Sequence, residues 1–349
     1  MRLLFDVLHP AHVHHYRPLA EEILAEGGDV LFTARKKDVT LQLLSESGLP
    51  HKILSTMLPG GLVGLATEFA WRSARLTLEA LRFKPDVMLG IMGPCIAPVG
   101  RLLGIPSIIS YDTETASITN RWAFPLATRV VVPESWLGPT RPNMRRFPGF
   151  QELAYLHPDR FTPDPERLRA LGLDPSERFI VVRFVSFEAS HDIGDHGFSD
   201  RVAFVHALEE YGRVVLSSER GVPAELQDRV LRFPASDLHH LLAFADLVVG
   251  EGATTAVEAA LLGTPAIFVH TAKLGYITEL ENDWQMLVRY ERQDEALATC
   301  KTWLERDRGQ LQAEWDQKRK RLLDIKIDTT AMLRSHVNEL CAPRIGVSS

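Results

Sequence analysis

"GEGATTAVEAALLGTPAIF" occupies residues 250–268. It runs from small residues and threonines into an apolar helical pattern, stops at Gly-Thr-Pro, and resumes as an apolar strand pattern. Upstream, "LHHLLAFADLVV" (238–249) reads as a helix followed by a short β-rich run. The quoted loop therefore joins a strand to the next helix, which is where open α/β sheets bind ligands. Two readings of Glu258 stand here. In one, Thr255-Ala256-Val257-Glu258 is a capping box, its Thr hydroxyl and Glu carboxylate satisfying each other's free backbone N–H groups. In the other, the N–H groups of Gly252, Ala253, Thr254 and Thr255 face an anionic diphosphate, aided by the partial positive charge of the helix start. Glu258, one turn in, then holds a ribose diol through its two acceptor oxygens.

Outward from this stretch, the same alternation fills both halves of the chain. "LLFDVLH", "DVLFTAR", "PDVMLGIM", "GIPSIISYD" and "ATRVVVP" are β-rich runs, joined by helical patterns such as "YRPLAEEILAEGG" and "TLQLLSESGLP". After the Pro- and aromatic-rich "FPGFQELAYLHPDRFTPDPERL", the alternation restarts with "RFIVVRFVS", "GRVVLSSE", "ADLVVGEG", "TPAIFV" and "WQMLVRY". Strands alternating with helices predict parallel sheets. Two doubly wound, Rossmann-like domains are expected, 1–155 and 156–325, facing across a cleft, with a C-terminal helix and loose polar tail over 326–349.

A chain of 349 residues, 45% apolar and 24% charged, is globular and larger than one core usually serves. A net charge of −6 argues against a broad nucleic-acid surface, so no nucleic-acid partner is expected. Cys95, Cys300 and Cys341 are too scattered for a disulfide framework or a zinc ribbon. The opening "MRLLFDVLHPAHVHH" starts on a strand pattern rather than a secretory signal, and no apolar run reaches membrane-spanning length. A cytoplasmic location is expected. After the first strand the chain has His9-Pro10-Ala11-His12-Val13-His14 where a dinucleotide site would show G-x-G-x-x-G, which argues against NAD there.

Four stretches carry a resemblance: residues 9–35, 105–132, 183–192 and the opening segment. Through them the chain, over roughly residues 1–290, resembles the domain-of-unknown-function-354 family of the GT-B superfamily. It is similar within that superfamily to the peptidoglycan N-acetylglucosaminyltransferases and, more distantly, to the UDP-N-acetylglucosamine 2-epimerases. The resemblance implies a GT-B fold, with the C-terminal helices returning to brace the first domain. It further implies a nucleotide-sugar donor, UDP-linked as in those relatives, and a sugar or glycoconjugate acceptor. Glu258 falls where the superfamily's ribose-binding Glu lies. Retaining GT-B transferases carry two Glu residues eight apart across this loop; Glu251 and Glu258 are seven apart, which favours inversion and leaves Glu251 as a solvated loop acid. No cofactor and no metal are implied. A 2-epimerase-like isomerase and a non-catalytic nucleotide-sugar-binding protein are the alternatives.

Inversion at an anomeric carbon needs a base on the acceptor hydroxyl and charge stabilisation on the leaving diphosphate. His12 after the first strand, and Asp112 and Glu114 of "YDTE", are the candidate bases; the competing readings are a backbone-bonded loop histidine and capping acids for "TASITNRW". His9, His12, His14 and His15 crowd one segment, but spacing alone does not make a metal site. Arg183 and Ser186, with His191 and Asp192, follow a strand in the second half, and Arg183 suits a diphosphate or a neighbouring acid. His239 and His240 open a helix, one of them on its N-cap side. "MLPGGLVGLATEFAWRSARLTLEALR" (57–82) joins an apolar Gly-rich loop to a helix with Arg72, Arg75 and Arg82. That combination suits a peripheral membrane contact and a lipid-linked acceptor, or else an ordinary core-facing helix.

Overall fold

The computed structural model of the chain describes every residue except 37, 57–60, 185–196, 219–220 and 343–349. The chain divides into two compact units, Met1–Tyr155 with Ile327–Ser349, and Leu156–Lys326.

The first unit is built on β1 (Arg2–Val7), β2 (Asp29–Lys36), β3 (His51–Thr56), β4 (Val87–Ile91), β5 (Ser107–Ser110), β6 (Arg129–Pro133) and β7 (Met144–Phe147). They form one sheet in the order β3-β2-β1-β4-β5-β6-β7, paired in parallel throughout. Central β1 carries Leu3, Leu4, Phe5 and Val7, all fully buried. A parallel strand covered by helices on both faces is expected to read as such an apolar run. Edge strands β3 and β7 are half polar instead, with Lys52 and Arg145 exposed. β3 and β7 were not among the strands expected from the sequence.

The second unit holds β8 (Phe179–Phe184), β9 (Arg213–Ser218), β10 (Leu247–Gly250), β11 (Ala266–Val269) and β12 (Leu287–Tyr290). Their order is β12-β11-β10-β8-β9, again parallel. The crossover helix Ala253–Leu262 buries every residue from Thr255 to Leu262 and ends at Gly263, whose φ of 88° is the left-handed C-terminal stop.

Of the charged C-terminal helices, Gln293–Leu304 and Arg308–Leu323 belong to the second unit, and only Thr329–Cys341 joins the first. That last helix buries Thr329, Thr330, Leu333 and Val337, and its two threonine hydroxyls donate to the carbonyls of Phe150 (2.7 Å) and Ala154 (2.8 Å). The return expected of the whole charged segment is thus made by its final helix alone. Tail residues 343–349 lie outside the described residues.

Candidate functional site

In the second sheet the connections diverge between β8 and β10, which sit side by side. Such a switch point opens a crevice at the carboxyl ends of the strands. Arg183 stands there near the end of β8, and Gly250 ends β10. A Cβ on Gly250 would fall 2.5 Å from the Arg183 carbonyl oxygen, so only glycine lets the two backbones approach this closely. The Arg183 guanidinium donates to Ser217 Oγ at the end of β9 (2.6 Å). Ser186, His191 and Asp192 lie outside the described residues.

Glu251 is not a solvated loop acid. It is 2% exposed, accepts the Phe198 N–H at 2.9 Å and pairs with Arg201 at 2.9 Å. Arg201 in turn lies over the Phe184 ring. The carboxylate is spent on holding the segment that leads into the helix Arg201–Glu209.

The helix after β10 starts with Gly252 as its N-cap, in extended conformation and without a side-chain cap bond. Its ladder begins with the Ala256 N–H bonding Gly252 O (3.1 Å), so the N–H groups of Ala253, Thr254 and Thr255 precede it at the helix start. The capping-box reading fails on register: with Gly252 as N-cap, Thr255 is the third helical residue and Glu258 the sixth. An acid can close a capping box only from the third position. Glu258 accepts instead from His239 Nε2 at 2.9 Å, both side chains nearly fully buried.

In the first sheet the switch lies between β1 and β4. The expected loop after β1 is nearly absent, because His9 caps the helix Pro10–Ala25, its Nδ1 accepting the Ala11 N–H at 3.3 Å. Pro10 at the first position pre-sets the helical φ. His12 therefore lies in the first helical turn rather than in a loop; it is buried, and its Nδ1 accepts the Leu8 N–H at 3.3 Å. Its neighbours point elsewhere. The His14 ring packs on Tyr155, and His15 bonds the Gln151 carbonyl at 3.0 Å, burial pulling its pKa down to about 4. Among the described residues no group of three or more His, Cys, Asp or Glu is placed to hold a metal.

At the end of β4 the chain turns through Met92 (φ 64°) and Gly93 (φ 63°), the former a conformation that costs a side-chain-bearing residue energy. Nothing in "VMLGIMGP" signalled it. Asp112 and Glu114 follow β5, so they and His12 rise from strands on either side of β4. Burial pushes the Asp112 carboxyl up to about 6; a hydrogen bond from Thr113 Oγ1 opposes this and the Glu114 charge adds to it. Glu114 accepts the Leu137 N–H at 3.0 Å, tying this segment to the one after β6. Neither acid caps the helix Ser117–Ala123, whose N-cap is Ala116 with no side-chain cap bond.

Asp6, in β1, forms a buried pair with Arg72 and accepts from Thr33 Oγ1 (2.6 Å). Arg72 also donates to Ser55, and Ser55 and Arg35 donate to Glu68. Arg72 is thereby removed from the basic face expected on the helix Gly61–Phe83. That face keeps Arg75 and Arg82 beside Trp71, Leu78 and Leu81, which are 61%, 53% and 55% exposed. Among the described residues no helix is long and apolar enough to cross a membrane.

Two parallel α/β units, each with a switch point, define a GT-B fold. The chain belongs to the family described as protein of unknown function DUF354, whose model matches residues 1–331, further than the stretch over which the sequence motifs carry the likeness. Relatives include the UDP-N-acetylglucosamine–N-acetylmuramyl-(pentapeptide) pyrophosphoryl-undecaprenol N-acetylglucosamine transferase of Klebsiella pneumoniae (strain 342). It is 28% identical over 252 residues, which are 67% of this chain and 64% of that relative. The enzyme of the same name from Salmonella paratyphi B is 29% identical over 284 residues, 74% of each chain. UDP-GlcNAc 2-epimerase from Neisseria meningitidis, solved with UDP-GlcNAc, superposes with a TM-score of 0.69 at 14% identity, over 97% of this chain and 100% of that one. The glycosyltransferase SsfS6 of Streptomyces sp. SF2575, solved with thymidine diphosphate, gives 0.61 at 15% identity, over 96% and 99%.

Proposed function

We propose that the protein is a glycosyltransferase moving a sugar from a nucleoside-diphosphate donor, UDP-linked, to an acceptor hydroxyl, with inversion and without a metal. The observation that carries this reading is the start of the helix Ala253–Leu262 at the β8/β10 switch, with a carboxylate, Glu258, in its second turn. The N–H groups of Gly252, Ala253, Thr254 and Thr255 receive the diphosphate, Arg183 offsets its charge, and Glu258 accepts from the ribose hydroxyls. Ser186 is retained in the donor set by its sequence position alone.

Asp112 is the base. It takes the acceptor proton as the acceptor oxygen bonds to the anomeric carbon, and the bond to the diphosphate breaks with its electrons leaving on the nucleotide. A carboxyl brought to about 6 is ionised at neutral pH yet more basic than an ordinary one. His12, its Nδ1 lone pair engaged by Leu8, carries its neutral-state proton on Nε2 and serves as a donor to a substrate oxygen. Glu114 acts through Asp112 by charge. The exposed Trp71, Leu78 and Leu81 with Arg75 and Arg82 support a lipid-linked acceptor presented at an anionic membrane surface; vesicles containing anionic lipid should retain the protein, and Trp71→Glu should release it.

The test is product analysis with UDP-N-acetylglucosamine, with and without lipid-linked and free sugar acceptors. Acceptor-dependent release of UDP with an inverted linkage supports the proposal. Conversion of the nucleotide-sugar to its 2-epimer without acceptor, or binding without turnover on every acceptor, overturns it.

A further inference from the structure

Glu258 and His239 face each other from two helices of the second unit, Ala253–Leu262 and Leu238–Phe244. The helices are held in register by Thr264, whose hydroxyl donates to the Leu242 carbonyl at 2.8 Å. The His239 ring is steadied by Phe161, edge-on at 6.0 Å and 80°. A carboxylate can only accept, so the 2.9 Å contact to Glu258 Oε1 places the His239 proton on Nε2. Glutamate has three side-chain torsions, and ordering them on binding costs affinity. A buried donor that orders them beforehand removes that cost. The two carboxylate oxygens offer about four acceptor sites, so the bond from His239 orients the group without by itself exhausting it.

We infer that His239 is a positioning residue for nucleotide selection: its Nε2–H fixes the Glu258 carboxylate so that it accepts from the 2′- and 3′-hydroxyls of a ribonucleoside diphosphate. The inference rests on the ribose-binding reading of Glu258 proposed above. His239 touches no substrate atom, and its effect is confined to the sugar hydroxyls of the nucleotide.

The experiment compares the affinities of UDP and 2′,3′-dideoxy-UDP for the wild-type chain, His239→Gln and His239→Leu. The wild type should prefer UDP by about tenfold or more, as expected for hydrogen bonds to a charged group. His239→Gln, which keeps a donor near the Nε2 position, should retain that preference, and His239→Leu should bring it to within about twofold by weakening UDP alone. If the leucine variant does not fold, His239→Asn, whose amide is one methylene too short, must discriminate less than His239→Gln. Full discrimination in the leucine or asparagine variant overturns the inference, as does its loss in His239→Gln. A wild type that binds both nucleotides equally refutes the ribose-binding role of Glu258 itself, a failure distinct from the other two.

Discussion

Replacing Asp112 by Asn removes the proposed base, and the structure fixes how the loss should depend on pH. Burial raises this carboxyl to about 6. The ionised fraction is then about nine-tenths at pH 7 and about one-tenth at pH 5, so kcat/KM should fall about tenfold between them, where an ordinary carboxylate would leave it flat. The neighbours predict how the limb moves. Glu114→Gln deletes a like charge and shifts it to lower pH; Thr113→Val deletes a bond to the carboxylate and shifts it to higher pH. The same raised value bears on stability: the folded chain keeps this proton up to about 6 while the unfolded chain releases it near 3.8, so the contribution is present below 3.8 and is lost as pH rises through 6. The assay is nucleoside diphosphate release from pH 4.5 to 8 for the wild type and the three variants. Asp112→Asn should lose about 10²–10⁴-fold in turnover and the limb with it. A limb that persists in Asp112→Asn, or that stays fixed in both neighbour variants, refutes the assignment.

His12→Ala should lower kcat while leaving the affinity for UDP nearly unchanged, checked by turnover at saturation and calorimetry on the same protein. Arg72→Met leaves Asp6 buried without its cation and should cost about 3–5 kcal/mol in denaturant unfolding. Gly250→Ala forces a Cβ to within 2.5 Å of a backbone carbonyl and should cost about 1–3 kcal/mol in the same assay.

The central strands were legible because a strand buried on both faces reads as a near-continuous apolar run, as β10 does throughout and β1 does through Leu3, Leu4, Phe5 and Val7. β3 and β7 escaped notice because these edge strands expose charged residues, Lys52 in "HKILST" and Arg145 and Arg146 in "MRRF", which break the apolar run that marks the inner strands. The helix start at Pro10 was hidden by a histidine serving as N-cap, outside the usual Ser, Thr, Asp and Asn. Glu258 stood out from local spacing, but its partner His239 lies 19 residues upstream, joined only by the packing of two helices. Glu251 and Arg72 could not be placed from local spacing for the same reason: their partners Arg201 and Asp6 lie 50 and 66 residues away.

The central claim is that Glu258 belongs to a nucleotide site. Unfolding midpoints of the wild type and Glu258→Gln, each with and without UDP, test it most directly, since a ligand that binds only the folded chain raises its midpoint. Gln can still accept from His239, so the two ligand-free midpoints should nearly coincide. UDP should raise the wild-type midpoint and raise that of Glu258→Gln much less, reflecting the loss of a charged acceptor worth about 1.5–3 kcal/mol. Equal UDP-induced shifts in the two proteins would contradict the account.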